Sequence, residues 1–306
     1  MKHFDIVIIG GGPAGLTAGI YAARRGVSVL IITKTIGGRC AEATTIENYP
    51  GFHKINGFKL AKKMEKHPKK SGVRILYEEV VNINKNGEFE ILTSTNKRFF
   101  CKALVIATGA ISKRLDVKGE SEFKGRGLSY CVVCDGPLYK DKIVAVVGNK
   151  NEALQATLYL ADIAKKVILI FEQDKIDGEE SLLKRVKEKK NIEIMDKTKI
   201  KEIIGDEIVD GIIIERNGKE EKIELQGIFV EIGTIPLTEL TSKLGIEMVG
   251  NFIKVNEKQE TNVNGIFACG DVTSRSALKQ VVIACAEGAI AGNYAANYVK
   301  NLGSKD

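Results

Sequence analysis

The stretch FDIVIIGGGPAGLTAGIYAARRGVSVLIIT, residues 4–33, decides the fold. FDIVIIG is a continuous apolar run, as a strand covered on both faces should be, and PAGLTAGIYAARRG has helical spacing closed by Gly26. VSVLIIT then reads as a second, parallel strand. Between strand and helix stands Gly10-x-Gly12-x-x-Gly15, the context that a dinucleotide-binding turn requires. Gly10 permits the sharp turn, Gly12 lets backbone approach a pyrophosphate, and Gly15 lets helix pack on strand, while the helix N-terminus favours the phosphates' charge. With Pro13 and Ala14 these residues form the candidate cofactor-binding turn. An acid is expected at the end of the second strand to meet the adenosine ribose, and the sequence has Thr33 and Lys34 instead.

Working outward, the same order recurs at KIVAVVG (142–148), NEALQATLYLADIAKK (151–166) and VILIF (167–171), so the chain is α/β with one strand–turn–helix–strand unit used twice. Hairpin-like segments lie between and after them, among them FEIL, RFFCKALVIATG and VDGIIIERNGKEEKIEL with its Asn217-Gly218 turn. The second turn reads Gly148-Asn149-Lys150-Asn151-Glu152-Ala153, with Lys150 in place of the middle glycine. Acids follow the next strand, at Glu172, Asp174 and Asp177, where they repel a 2′-phosphate. Glu172 suits a free ribose 2′-OH better, but Lys150 stands where a pyrophosphate must approach backbone. The unit reads as a scaffold that has lost its nucleotide.

Length and composition agree with two domains. The chain has 306 residues, 44% hydrophobic and 28% charged, enough for ample core in a globular protein. The apolar N-terminal run starts at an acidic Asp5 and is crossed by glycines and Pro13, so it reads as strand, turn and helix and not as a signal peptide or a membrane span. A cytoplasmic protein without membrane or nucleic-acid partners is expected. Net charge is +7, concentrated in residues 1–112, where 17 Lys/Arg oppose 8 Asp/Glu. Residues 113–240 hold 22 against 25 and residues 241–306 hold 7 against 6, so the charge shifts near 112 and 240 mark candidate domain boundaries. An acidic partner can be steered to the first segment.

Six cysteines in a chain of this length make no disulfide framework, and only Cys131 and Cys134, in YCVVCDG (130–136), are closely spaced. A Cys-x-x-Cys pair forms a small reversible disulfide ring suited to exchange; a half zinc site lacks its second pair, so no metal is expected, and two inert buried thiols are the other alternative. Cys40, Cys101, Cys269 and Cys285 read as core. GIFACGDV (265–272) is a strand ending in Gly270-Asp271, whose carboxylate either accepts from a hydroxylated cofactor chain or caps the next helix.

These pieces, with Gly37-Gly38 followed by ENYPGF (47–52), the strand-ending ATG (107–109), Gln280 and Gly288, resemble the low-molecular-weight thioredoxin reductases from end to end. The resemblance implies two Rossmann-like domains of three-layer ββα form: an FAD-binding domain made of residues 1–112 and 241–306, and an inserted redox-active domain, 113–240. It implies bound FAD, a homodimer and thioredoxin as substrate, and adds Gly38, Asn48, Thr108, Gly109, Gly270, Asp271 and Gln280 to the cofactor set. By the family's motif Cys134 receives electrons from the flavin, Cys131 attacks the partner's disulfide, and Asp135 shuttles the proton. Two orientations of the inserted domain are implied, with hinges near 112 and 240. The lost nucleotide motifs look like those of the ferredoxin-dependent flavin thioredoxin reductases, which makes ferredoxin the expected donor. NADH or deazaflavin dependence, or an oxygen-using dithiol oxidase, are the alternatives.

Overall fold

The computed structural model describes residues 2–43, 46–275 and 278–303, and the chain folds as two compact units, Met1–Ile111 with Ile235–Asp306 and Ser112–Thr234. In the first, the strand Lys2–Gly11 lies inside a seven-stranded sheet, parallel to Val29–Ile36 on one side and to Arg98–Ile106 on the other. Arg98–Ile106 divides its far edge. Its first half pairs with the antiparallel strand Glu88–Thr93, whereas Leu104 to Ile106 pair in parallel with Ile266–Ala268. One strand therefore serves both a meander and the parallel sheet, and takes the C-terminal part of the chain into that sheet.

The apolar run at the N-terminus follows from burial on both faces. Ile6 and Ile8 pack with Ala14, Leu16 and Ala18 under the helices Pro13–Ala23 and Val281–Leu302; Val7 and Ile9 face Ile83, Phe89 and Ile91 of the meander. Alternate side chains of a strand point to opposite faces, so a strand covered twice is apolar throughout. Helices, sheet and meander make three layers. Proline opens the first helix, where its missing N–H leaves no bond unmade. The two helices cross closely: a Cβ on Gly288 would stand 2.1 Å from the Ala14 carbonyl oxygen, and one on Gly292 2.2 Å from that of Ala18.

The second unit repeats the plan. Its five-stranded sheet runs Ile192–Met195, Lys166–Ile170, Ile143–Val147, Gly227–Val230, Leu128–Ser129, with every pairing parallel. Val144, Val146, Val167 and Leu169 pack under the helices Asn151–Ala161 and Glu180–Glu188, and Ala145, Val147, Ile168 and Ile170 against the antiparallel meander Thr198–Gly205, Val209–Arg216, Lys219–Glu224. Asn217 (φ 52°) and Gly218 (φ 74°) make its last turn in the left-handed region, as a two-residue hairpin of the favoured twist demands. In the first unit Leu237 N–H donates to the Gly109 carbonyl at 3.0 Å and Thr108 Oγ1 to that of Leu237 at 2.6 Å, which ties the returning chain down just after Ile235.

The helix crossing gives a stability prediction. Gly292→Ala drives a methyl into the Ala18 carbonyl, and the helices must separate at a cost of about 1–3 kcal/mol. A lower denaturation midpoint in urea is expected; an unchanged midpoint would mean that the crossing relaxes freely.

Candidate active site

The first glycine turn is shaped by its own backbone. Gly10 has φ +115°, and a Cβ there would stand 2.1 Å from the Ala107 carbonyl oxygen; one on Gly15 would stand 2.0 Å from that of Gly10. Nothing but hydrogen fits at either position. Gly12 is different, because its backbone is extended (φ −76°, ψ 179°) and a Cβ on it would meet nothing within 4 Å. What glycine provides at Gly12 is open space. Beside that space lie Pro13, Ala14 and Gly15 in the first turn of a helix that no side chain caps. Gly38 (φ +49°) approaches from the next strand, its Cβ position 3.9 Å from Gly12 Cα, and Gly109 (φ +74°) is likewise open. An uncapped helix N-terminus edged by glycines suits a pyrophosphate, so this cradle fits the FAD expected from the sequence.

Gly270, whose Cβ would meet Ala14 Cβ at 2.9 Å, places Asp271 beside the same helix start. Arg39 Nη1 donates to Asp271 Oδ2 at 3.3 Å, and Lys279 Nζ to the Asp271 backbone oxygen at 2.7 Å. Burial lowers the pKa of the Lys279 ammonium, with Asp271 acting against it. The Gly270 N–H donates to the buried Glu287 carboxylate at 2.7 Å. Asn48 Nδ2 donates to Gln280 Oε1 at 3.0 Å, so two predicted site residues are joined across 232 positions of sequence. Thr108 gives its hydroxyl proton to the Leu237 carbonyl. Sequence reasoning omitted Arg39, Lys279 and Glu287; the only signals were Arg39 next to Gly37-Gly38 and Glu287 next to Gly288. Thr33, in place of an acid, donates to the Thr35 carbonyl at 2.6 Å and packs against Gly11.

In the second unit Cys131 and Cys134 form a disulfide, with Cα atoms 5.3 Å apart. Cys131 caps the short helix Val132–Asp135, its Sγ accepting the Cys134 N–H at 3.3 Å. Asp135 follows in the same turn, partly buried, and burial raises its pKa while a hydrogen bond from Ser129 Oγ to Oδ2, 2.6 Å, opposes the rise. A carboxyl so placed holds a proton at higher pH than an exposed one, and lies one residue from the disulfide whose cleavage needs protons. The other thiols differ. Burial pushes Cys40 up to about 11 and Cys101 up to about 12, and raises Cys269 and Cys285 as well. No group of three or more His, Cys, Asp or Glu with metal-site geometry occurs among the described residues.

The second glycine turn keeps the close backbone approach of the first and has a side chain at its middle position. Gly148 (φ +152°) has its Cβ position 2.3 Å from the Glu231 carbonyl oxygen, the same constraint as at Gly10. Lys150 occupies the helix N-cap with extended backbone (φ −112°, ψ −178°), as Gly12 does, and has a side chain where Gly12 has none. Its ammonium is 3.8 Å from the Asp177 carboxylate, and both are exposed, so the pair adds little stability.

A family model described as pyridine nucleotide-disulphide oxidoreductase matches residues 4–288. The thioredoxin reductase of Bacillus subtilis (strain 168) is 36% identical over 98% of this chain and 96% of its own length. The crystal structure of thioredoxin reductase from Streptococcus pyogenes MGAS5005 has a TM-score of 0.93 at 35% identity, covering 98% of this chain and 99% of that one. For thioredoxin reductase from Giardia duodenalis the TM-score is 0.92 at 33% identity, over 98% and 100% of the two chains.

Gly12→Val tests the cradle directly. Extended backbone and empty space accommodate the valine, so a natively folded protein by circular dichroism is expected, but one purified without visible flavin absorbance. Full flavin occupancy would refute this reading of residues 10–15.

Proposed function

The chain belongs to the pyridine nucleotide-disulphide oxidoreductases and, among them, to the FAD-binding low-molecular-weight thioredoxin reductases; on that premise we propose that it passes electrons from reduced ferredoxin, by way of FAD and the Cys131–Cys134 pair, to thioredoxin. FAD supplies the carrier between a one-electron donor and a two-electron disulfide. Gly10, Gly12, Pro13, Ala14 and Gly15 hold its pyrophosphate with Gly38, Thr108 and Gly109 about it, Gly270 and Asp271 meet its hydroxylated chain, and Asn48 and Gln280 close the set. Cys134 receives the electrons, Cys131 attacks the thioredoxin disulfide, and Asp135 transfers the proton. The FAD-binding domain is the first unit, Met1–Ile111 with Ile235–Asp306, and the inserted domain the second, Ser112–Thr234, so the second boundary falls six residues before the expected 240, and the enzyme works as a cytoplasmic homodimer.

The observation behind the choice of donor is the filled second turn. A pyrophosphate needs the space that Gly12 leaves open in the first unit, and in the second that position carries Lys150, drawn toward Asp177. Glu172, Asp174 and Asp177 add negative charge where a 2′-phosphate would need guanidinium partners. The surplus of Lys/Arg in residues 1–112 suits a small acidic protein instead.

Anaerobic stopped-flow with each donor tests the proposal. Reduced ferredoxin should bleach the flavin and support thioredoxin reduction, at a rate that falls with salt because attraction between exposed charges is screened within roughly 10 Å at ~0.1 M. NADPH, NADH and reduced deazaflavin should give no turnover, and oxygen with a small dithiol should give none either. Brisk NADH-driven turnover would overturn the donor assignment and leave the cysteine chemistry standing.

The relay has its own test. Cys131→Ser and Cys134→Ser should each abolish thioredoxin reduction with FAD still bound; wild-type turnover in either would remove the pair from the mechanism.

A further inference from the structure

One side chain links the disulfide to the neighbouring carboxyl. Ser129 ends the strand Leu128–Ser129, where it pairs with Phe229, and is 6% exposed. Its hydroxyl oxygen accepts the Cys131 N–H at 3.0 Å and its proton goes to Asp135 Oδ2 at 2.6 Å. A second acceptor, the Cys131 carbonyl oxygen, stands at 3.4 Å. A hydroxyl has one proton to give and two lone pairs to receive with. While Asp135 is ionised, Ser129 donates to it. Once Asp135 takes a proton, Ser129 can turn its own proton to the Cys131 carbonyl and accept from the carboxyl, and the bond from the Cys131 N–H persists in both arrangements.

We infer that Ser129 is a positioning residue for proton transfer at the cysteine pair: its hydroxyl holds the Asp135 carboxyl against the Cys131 backbone in both protonation states, so the acid gains and loses its proton without moving. The inference rests on Asp135 serving the pair as acid and base. In the reduced enzyme the Cys131 thiol gives its proton to the Asp135 carboxylate, and the thiolate attacks one sulfur of the thioredoxin disulfide. A new S–S bond forms, the thioredoxin S–S bond breaks, and the departing thiolate takes the proton back from Asp135. Cys134 then attacks Cys131 Sγ, gives up its proton through Asp135 to the second departing thiolate, and restores the ring. Two electrons and two protons have passed to thioredoxin. Asp135 is charged and neutral in turn during each half of this exchange, and without Ser129 one of those states would leave a buried group without its partner.

Single-turnover oxidation of the reduced holoenzyme by thioredoxin disulfide, followed against pH, tests the inference. Ser129→Ala removes a hydrogen bond that favours the ionised carboxylate over the neutral acid, so the limb of the profile set by Asp135 should move to higher pH by about one unit, a tenfold change in its acid dissociation constant. Ser129→Thr keeps the hydroxyl and should restore the limb. Ser129→Val, which has the shape of the Ser129→Thr side chain without its hydroxyl, should behave as the alanine variant does, and its contrast with Ser129→Thr separates proton handling from packing if Ser129→Ala fails to fold. The carboxyl resonance of Asp135 in carbon-13-labelled protein should titrate with the same upward shift. A limb and resonance unmoved in both the Ala and Val variants overturn the inference. Asp135→Asn distinguishes the two levels: loss of the limb there with none of these shifts at Ser129 sinks the Ser129 role alone, whereas an unchanged profile in Asp135→Asn sinks the acid–base reading and the Ser129 role with it.

Discussion

Backbone approach at the first glycine turn governs the first unit. A Cβ on Gly15 would stand 2.0 Å from the Gly10 carbonyl oxygen, one on Gly10 2.1 Å from that of Ala107, and one on Gly288 2.1 Å from that of Ala14. Three glycines thus bring a strand end, a helix start and the C-terminal helix to one place at van der Waals distance. That packing sets the position of everything gathered there: Gly270 against Ala14, Asp271 with Arg39, and the Gly270 N–H on the buried Glu287 carboxylate. Side chains at these glycines would not merely crowd the site. They would separate the elements that build it.

Comparison of the two turns separates what a fold demands of such a motif from what a ligand demands. In the first unit the Gly37 N–H donates to the Gly11 carbonyl at 2.8 Å, and in the second the Asp177 N–H donates to that of Asn149 at 2.7 Å. The loop after the second strand is therefore tied to the middle of the turn in the same way in both units. The leading glycine is required in both, since Gly10 and Gly148 each have a carbonyl oxygen where a Cβ would go. The middle position carries no such requirement, being extended backbone in Gly12 and in Lys150 alike. The fold by itself therefore does not require glycine there. The second unit carries Lys150 at that position and has the same parallel sheet with both faces covered.

This also explains what could be read from the sequence. Period-two burial and glycine spacing are local signals, so Ile6 to Ile9, Gly10-x-Gly12-x-x-Gly15 and the repeat at 142–171 disclosed the α/β class and the two Rossmann-like units directly. The division of Arg98–Ile106 between a meander and Ile266–Ala268 was not legible, because a strand's sequence does not record how many partners share one edge. Nor were the pairs Arg39–Asp271 and Asn48–Gln280, each closed over 232 residues by chain segments that no local pattern connects. Ser129 escaped notice for a different reason. Its neighbours in sequence are its partners in space, but serine two residues before a cysteine is unremarkable until its single proton and two acceptors are located.

Burial raises the pKa of the free thiols and of Asp135 alike, and the consequence for each is opposite: it takes a thiol away from exchange chemistry and brings a carboxyl toward it. A thiol taken out of water is held protonated, and a protonated thiol neither attacks a disulfide nor leaves one; burial pushes Cys40 up to about 11 and Cys101 up to about 12, which favours the thiol form at neutral pH. The same desolvation applied to a carboxyl brings its proton closer to the range where it can be exchanged. Left unopposed, it would favour the neutral acid, which cannot accept a further proton. The Ser129 hydroxyl works against that drift by stabilising the charged form, 2.6 Å from Oδ2. An acid that also serves as a base, the role proposed for Asp135, needs both influences, and they meet one residue from Cys134.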